Sequence, residues 1–507
     1  MSGTTIGLLV IMILYLAMMV IIGASFSKTN KSVGDFYLGG RRLGPIVTAM
    51  SAEASDMSSW LLMGLPGVAY LTGCAEAVWT AVGLAIGTYL NWLIVARRLR
   101  RYSAKTNSIT IPDFFSDRFH DTSHALECVA AIIIIIFFVP YTASGFSACG
   151  KLFSSLFGID YVPAMIASAV IIVAYTALGG FLAASTTDLI QSIVMTIALI
   201  TVVGFGVSMA GGLGNVIANA QSLPGYLSVT FIHEVETNTA QPYTALTIAS
   251  LLAWGLGYFG MPHVLLRFMG IKDENKIKLS RRIATTWVCI AMGVAIFIGI
   301  IGSAMTANGT LPVLEGSSEA ETLLVHVANL LSENGIILLI LGGLILAGIL
   351  ACTMSTADSQ LLAASSSVSK NLLPDTFGLK ISQRTSMILA RVTVIGVAVV
   401  GVFMALDPDS SVFRIVSFAW AGFGASFGAV MLFSLFWKRM NRNGALAGMI
   451  VGGVMVFVWK YAIAPLGGIF DIYELLPAFL CSMLAIIVVS LATKAPDKEI
   501  VEEFEQV

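Results

Sequence analysis

Ser51-Ala52-Glu53-Ala54-Ser55-Asp56-Met57-Ser58-Ser59-Trp60 places two carboxylates and four serines inside an apolar run that continues to Met63-Gly64-Leu65-Pro66-Gly67. On a water-facing surface that mixture would be ordinary. At membrane depth each ionised group costs several kcal/mol unless something binds it. Hydroxyls, an acid and a helix weakened by Gly64, Pro66 and Gly67 point to a broken helix whose freed carbonyls can ligate a small cation. A polar patch between packed helices, its serines bonding back to carbonyls, would account for the hydroxyls. It would not account for two acids so close together.

Three further stretches carry the same chemistry. Trp254-Gly255-Leu256-Gly257-Tyr258-Phe259-Gly260-Met261-Pro262-His263 weakens a second helix as severely as the first. Small residues that let helices approach would explain its glycines singly; paired with the first break, it points to a midplane site between two inverted halves. In Cys352-Thr353-Met354-Ser355-Thr356-Ala357-Asp358-Ser359, the spacing of Ser355, Asp358 and Ser359 puts three oxygens on one helical face. Thr356 lies about 100° away and can address a different ion. These are hard oxygen donors suited to an alkali or alkaline-earth cation, and no thiolate or imidazole cluster suggests a transition metal. In Gly179 to Gln191, Asp188 either answers a helix N-terminal dipole or stands beside Asp358 as the anionic wall of an ion path.

The elements that must hold these residues are membrane helices. The chain has 507 residues, 57% hydrophobic and 11% charged, with a mean hydropathy of +0.89; a soluble enzyme of ordinary composition has about a quarter charged. A net charge of -1 gives no field that would favour nucleic acid. Cys74, Cys128, Cys149, Cys289, Cys352 and Cys481 stand singly and read as small core residues. The first apolar run has no basic segment before it and reads as a retained helix.

Apolar windows fall at 5–26, 45–72, 74–96, 124–157, 160–180, 183–212, 242–266, 283–307, 335–369, 385–406, 412–437, 443–463 and 475–493, which predicts thirteen spans. With that count, all Lys and Arg except Lys151, Arg414 and Lys460 fall on one side, which the positive-inside rule makes cytoplasmic. The N-terminus is then outside and the C-terminus inside. Loops 97–123, 213–241 and 308–334 are too short to hide a soluble domain, and the tail after Lys494 reads as short, acidic and mobile.

With these motifs in hand, the chain resembles the sodium/solute symporter family, and within it the bacterial members that carry proline with sodium. The resemblance runs over essentially the whole chain. Its specific pieces are Tyr37-Leu38-Gly39-Gly40-Arg41, Ser55-Asp56-Met57-Ser58, Trp254 to Gly260, Pro262-His263, Met354-Ser355-Thr356, Ala419-Trp420-Ala421-Gly422-Phe423-Gly424-Ala425 and Asn443 to Met449. It implies an all-α polytopic membrane protein of thirteen helices with a leucine-transporter-like core of two inverted five-helix repeats. The layout would be 1–44 for the first helix and loop, 45–212 and 242–437 for the repeats, 438–494 for two further helices and 495–507 for the tail.

The same resemblance implies a sodium site made by the carbonyls of Ala54, Met57 and Cys352 and the hydroxyls of Ser355 and Thr356, with Asp56 as the acid that sodium-dependent uptake needs. It implies solute contacts at Ser58, Trp60, Tyr141, Trp254, Tyr258, Met261 and Pro262, and a gating or ion-release role for Arg41. The resemblance further implies sodium as the coupling ion and no organic cofactor. It implies a small amino acid, sodium and the bilayer of a bacterial cell membrane as partners, and a monomer as the working unit. Aromatic walls suit a pyrrolidine ring and its ammonium; backbone amides at a broken helix end suit its carboxylate.

The chain departs from the pattern at Met261, where the proline carriers have glutamine, at Glu53 and Ser59, where they have glycine, and at Asp358, where the family has a small residue. Some relatives hold a second sodium at that last place, so Asp188, Ser355, Asp358 and Ser359 are the expectation for a second cation here. No GxxxxGK[ST] sequence is present, so ATP is not the energy source and the chain is not expected to be an enzyme. Another small amino acid or a monocarboxylate as solute, or protons carried by Asp56, Asp188 or Glu53, remain the alternatives within transport. A channel lacks a repeated filter, and an intramembrane aspartyl protease lacks the GxGD setting around Asp188 and Asp358.

Overall fold

Apolar runs in a bilayer must close their own backbone hydrogen bonds, and this chain does so as helices. The computed structural model describes residues 2–26, 32–376 and 382–507; Lys28, Lys31 and Lys380, part of the charge asymmetry, lie outside them. Among the described residues ten helices are long and apolar enough to cross a membrane, eleven if the bent pair Ala245–Phe259 and Pro262–Gly270 is one span. That is fewer than the thirteen expected. The shortfall lies at window 45–72, which is broken into Pro45–Ser59, Trp60–Gly64 and Leu65–Thr72, and at window 160–180, whose apolar straight part is only Tyr161–Ala174.

The break in the first interrupted helix is not where the glycines and proline suggest. It falls at Ser58, whose φ of 47° and ψ of -171° leave the helical region. A serine there is strained by about 1–3 kcal/mol. Pro66 instead opens the next helix, where a missing N–H costs nothing. Gly67 is needed for packing, because a Cβ on it would lie 3.0 Å from the backbone of Ala320. The second interruption runs as a 3-10 turn over Ala253–Phe259 and resumes at Pro262, with a bend of 45°. Tyr161–Met209 is helical throughout except at Gly180 (φ 66°, ψ -170°). Asp188 therefore lies two turns past the break, too deep for a helix-end dipole to explain it.

The helices expose apolar rims, such as Ile13, Leu14, Ile336, Ile337, Leu480 and Leu484, and bury their polar residues. That inversion of a soluble protein suits a lipid surround. The described basic loops meet at one end: Arg41 donates to carbonyls at Ser103, Ser108 and Met269, Arg100 to Ile271, and Arg442 to Asp121. The other end carries elements the sequence did not announce, a hairpin of Phe231–Glu234 with Thr239–Pro242 and the helices Leu213–Ser222, Gly316–Ala320 and Leu323–Ser332.

The tail also differs from expectation. Lys498–Glu505 is a helix docked through Ile500 and Phe504, with the Phe504 ring 4.6 Å from the Arg98 guanidinium and 4.9 Å from that of Arg118. Apolar residues four apart and two guanidiniums supply the attraction that a mobile acidic tail would lack.

Candidate functional site

The backbone freed at Ser58 faces the helix Ile336–Ser366. Ser355 Oγ donates to the Ala54 carbonyl at 2.8 Å and to the Cys352 carbonyl at 3.1 Å, while Thr356 Oγ1 donates to the Cys352 carbonyl at 3.2 Å. Four of the five expected ion ligands thus touch one another, all on buried residues. The Met57 carbonyl sits at the break itself, where it and the Ser58 carbonyl accept from the Trp60 amide. Two hydroxyls and a group of carbonyls in a dry pocket are hard ligands for an alkali ion. These hydrogen bonds bring the hydroxyl and carbonyl oxygens together at one place.

One turn along, Asp56 joins this group to an aromatic wall. Its Oδ2 accepts from Tyr258 Oη at 2.5 Å, and its carbonyl accepts from Tyr141 Oη at 3.2 Å. Asp56 Oδ1 has no hydrogen-bond partner among the described residues, nor has the Trp60 indole N–H, and both are buried. The Trp60 ring lies 5.8 Å from Trp254 and 5.9 Å from Phe413, and Trp254 stacks on Tyr473 at 5.1 Å. An unpaired carboxylate oxygen, an unpaired indole N–H and four aromatic rings can hold a small guest with a cationic head and an apolar body. Met261 and Pro262 are buried at the entry to Pro262–Gly270, the helix that follows the turn carrying Trp254 and Tyr258. Ser58 is spent locally, its Oγ accepting from the Trp60 amide at 3.1 Å.

The second interrupted helix reaches this place because nothing but glycine separates it from its neighbour. A Cβ on Gly87 would lie 2.3 Å from the Gly255 carbonyl oxygen, and one on Gly255 would lie 2.3 Å from that of Gly83. Trp420 then locks the turn: its Nε1 donates to the Trp254 carbonyl at 2.7 Å, and its ring leaves no room for a side chain at Gly257.

Glu53 is fully buried, and its Oε1 accepts from Thr88 at 2.9 Å and from Trp92 Nε1 at 3.0 Å. The two donors are four residues apart on one helix face, a match the sequence could have offered but only with the helix pairing known.

Asp188 lies elsewhere. Its Oδ2 accepts from Ser51 at 2.6 Å and from Arg267 Nη2 at 3.1 Å, and Arg267 Nη2 also donates to Ser359 Oγ at 2.5 Å. Arg267, assigned from sequence to a cytoplasmic loop, is instead buried in Pro262–Gly270. Its Nη1 donates to the His263 carbonyl at 2.9 Å, a backbone contact that the sequence does not signal. Asp358 accepts from Ser359 at 3.0 Å and lies within electrostatic reach of Asp188.

Arg41 is part of neither group. It bonds three carbonyls and the Ser103 hydroxyl at the basic end, and burial, with repulsion from Arg100, pushes its guanidinium down to about 10, still charged at neutral pH. Beside it Leu43 bridges Ile271 through its N–H to Gly270 and its carbonyl from Lys272. At the opposite end a cavity of about 580 Å³, lined by Glu76, Arg414, Lys460 and Glu474 among others, runs down to Gly64, Trp254 and Phe413. Among the described residues, Arg41 ties three segments together at the basic end, and the cavity at the other end reaches the aromatic wall.

A model of the Sodium:solute symporter family matches residues 36–452. The sodium/proline symporter of Salmonella typhimurium is 41% identical over 500 residues, covering 98% of this chain and 95% of that protein. The high-affinity proline transporter PutP of Bacillus subtilis is also 41% identical, over 96% of this chain and 98% of its own length. Among solved structures, the substrate-bound outward-open state of a Na+-coupled sialic acid symporter superposes with a TM-score of 0.79 at 19% identity, over 97% of this chain and 99% of that one. MhsT in complex with L-phenylalanine superposes with a TM-score of 0.54 at 12% identity, over 89% and 99%. At such identities the superpositions establish a shared fold.

Proposed function

The chain belongs to the sodium:solute symporter family, and from that premise we propose that it imports proline with sodium across a bacterial cell membrane by alternating access. The observation that carries this reading is the Ser355 hydroxyl 2.8 Å from the Ala54 carbonyl, which ties the first broken helix to the helix Ile336–Ser366. A sodium ion at that seam takes Ala54, Met57, Cys352, Ser355 and Thr356 as ligands and pulls the two elements into register. Asp56, one residue from Met57, transmits the arrangement to Tyr258 and Tyr141. Solute meets Asp56, Trp60, Tyr141, Trp254 and Tyr258, with Ser58, Met261 and Pro262 shaping the pocket.

By linkage, sodium raises solute affinity by the factor that solute raises sodium affinity, and such couplings are about 1–3 kcal/mol. Each charge falling through 100 mV supplies about 2.3 kcal/mol more. Inward release then needs the Arg41 bonds to open. The reading includes thirteen crossings with two inverted repeats, 45–212 and 242–437, the N-terminus outside, and a monomer as the working unit. Both breaks fall in the corresponding first helices of those repeats, as inverted halves require. A second reading, another small amino acid as solute, is favoured by one observation: Met261 is fully buried beside Tyr258, where a glutamine would offer a donor and an acceptor.

The test is uptake of labelled proline by purified protein in proteoliposomes, with and without an inward sodium gradient, against a panel of amino and organic acids. Sodium-driven proline accumulation is expected. Uptake of another amino acid alone would select the second reading, and uptake indifferent to sodium would refute both.

A further inference from the structure

The pocket around Asp188 is built like an alkali-ion site and holds a guanidinium. Arg267 Nε donates to Ser51 Oγ at 3.0 Å, Nη1 to the His263 carbonyl at 2.9 Å, and Nη2 to both Asp188 Oδ2 at 3.1 Å and Ser359 Oγ at 2.5 Å. Two hydroxyls, a carbonyl and a carboxylate are the donor types that surround a hard cation. The side chains of Arg267 and Asp188 are 1% and 0% exposed, and the Phe181 ring lies 5.1 Å from the guanidinium. Arginine presents five N–H donors and no acceptor. Its planar fork bonds several oxygens at once, which a flexible ammonium does less well.

We infer that Arg267 is the resident cation of the Asp188 pocket, so that this chain binds one sodium ion, at the Ala54–Ser355 seam, and none at Asp188. This rests on the sodium reading above. For sodium to enter, the guanidinium would have to leave Ser51, Asp188 and Ser359 together and give up its directly paired carboxylate while staying buried, which is more costly than the exchange of one ion for another. Asp188 Oδ1, Tyr15 Oη and the Gln191 amide have no hydrogen-bond partner among the described residues. They offer one carboxylate oxygen and two neutral ones, a weak basis for stripping sodium of its water while arginine already neutralises Asp188.

Removal of the guanidinium leaves the charge and the oxygens behind. Arg267→Gln therefore converts the pocket into a second sodium site, and the double variant Arg267→Gln, Asp188→Asn abolishes it again. Asp358→Asn leaves the count where it was, because in this arrangement the positive charge opposite Asp188 is covalently fixed.

The experiment is equilibrium binding of radioactive sodium to purified protein in detergent, with no solute and no transport. Expected ratios are one ion per chain for the wild type and Asp358→Asn, two for Arg267→Gln, and one for the double variant. Two ions on the wild type would overturn the inference, since sodium would then share the pocket with arginine. One ion on a folded Arg267→Gln would overturn it as well, because the guanidinium would not be what keeps sodium out. No ion on the wild type would overturn the sodium reading itself, a separate failure. Should Arg267→Gln not fold, the wild-type ratio still decides.

Discussion

Substituting Gly87 by alanine tests whether the backbone contact with Gly255 sets the position of the aromatic wall. The added Cβ would lie 2.3 Å from the Gly255 carbonyl oxygen and 2.4 Å from its Cα, whereas ordinary contact begins at 3.4 Å, so the two helices must part by about 1 Å. Neither obstacle is a side chain that can rotate away. Overpacking of this kind costs about 1–3 kcal/mol, and the gain of alanine over glycine within a helix, about 1 kcal/mol, offsets part of it. A net loss of up to roughly 2 kcal/mol corresponds to a factor of up to about 30 in an equilibrium. Because Gly255 lies between Trp254 and Tyr258, the displacement falls on the pocket, and solute affinity should drop by that factor along with the midpoint of thermal inactivation. Gly293→Ala is the control: its Cβ meets nothing within 4 Å, so the same change should stabilise slightly and leave uptake alone. Proteoliposome uptake and thermal inactivation in detergent measure both. If Gly87→Ala and Gly293→Ala behave alike, the close approach has no part in placing the site.

Ser355→Ala should raise the sodium concentration for half-maximal uptake about 10–100-fold, the loss typical of removing a group that orients a metal site, and saturating sodium should restore solute affinity; a shift below threefold would remove Ser355 from the ligand set. Lys151 and Glu321 form an ion pair at 2.8 Å with side chains 5% and 2% exposed. Lys151→Met and Glu321→Gln should each destabilise by about 3–5 kcal/mol and the double variant by less than their sum, and additive losses by thermal inactivation would show the pair uncoupled. Asp121 is held below the usual carboxylate range: its burial acts upward, but the Leu126 N–H, Ser123 and Arg442 outweigh it. A depressed value means stability that is present above the unfolded pKa, near 4, and lost as pH falls through the folded one. Between roughly pH 5 and 3 the wild type should lose thermal stability faster than Asp121→Asn, and parallel curves would refute the assignment.

The polar stretches around Asp56 and Ser355 stood out because their signal is local, acids and hydroxyls inside apolar runs, whereas the grouping of Ala54, Met57, Cys352, Ser355 and Thr356 came from the family resemblance and not from spacing. Arg267 did not stand out, since it sits where an apolar run gives way to a basic loop, and only the helix Pro262–Gly270 turns it inward. The break at Ser58 was masked by more conspicuous residues. Gly64, Pro66 and Gly67 weaken a helix in isolation, yet two of them serve its continuation and its packing, while the strained residue is an ordinary serine. The partners of Glu53 and the docking of Phe504 depend on which helices lie side by side, information that a single sequence does not carry.

Phe181 follows the break at Gly180 directly and packs against three separate segments. Its ring faces the Arg267 guanidinium, fills the space that a side chain at Gly270 would need, and with Leu182 fills the space beside Gly39. Gly39 is two residues from Arg41, whose bonds tie segments together at the basic end. One phenyl ring thus joins the anchored guanidinium to the segment that carries Arg41. A bulkier or smaller ring there would disturb both at once.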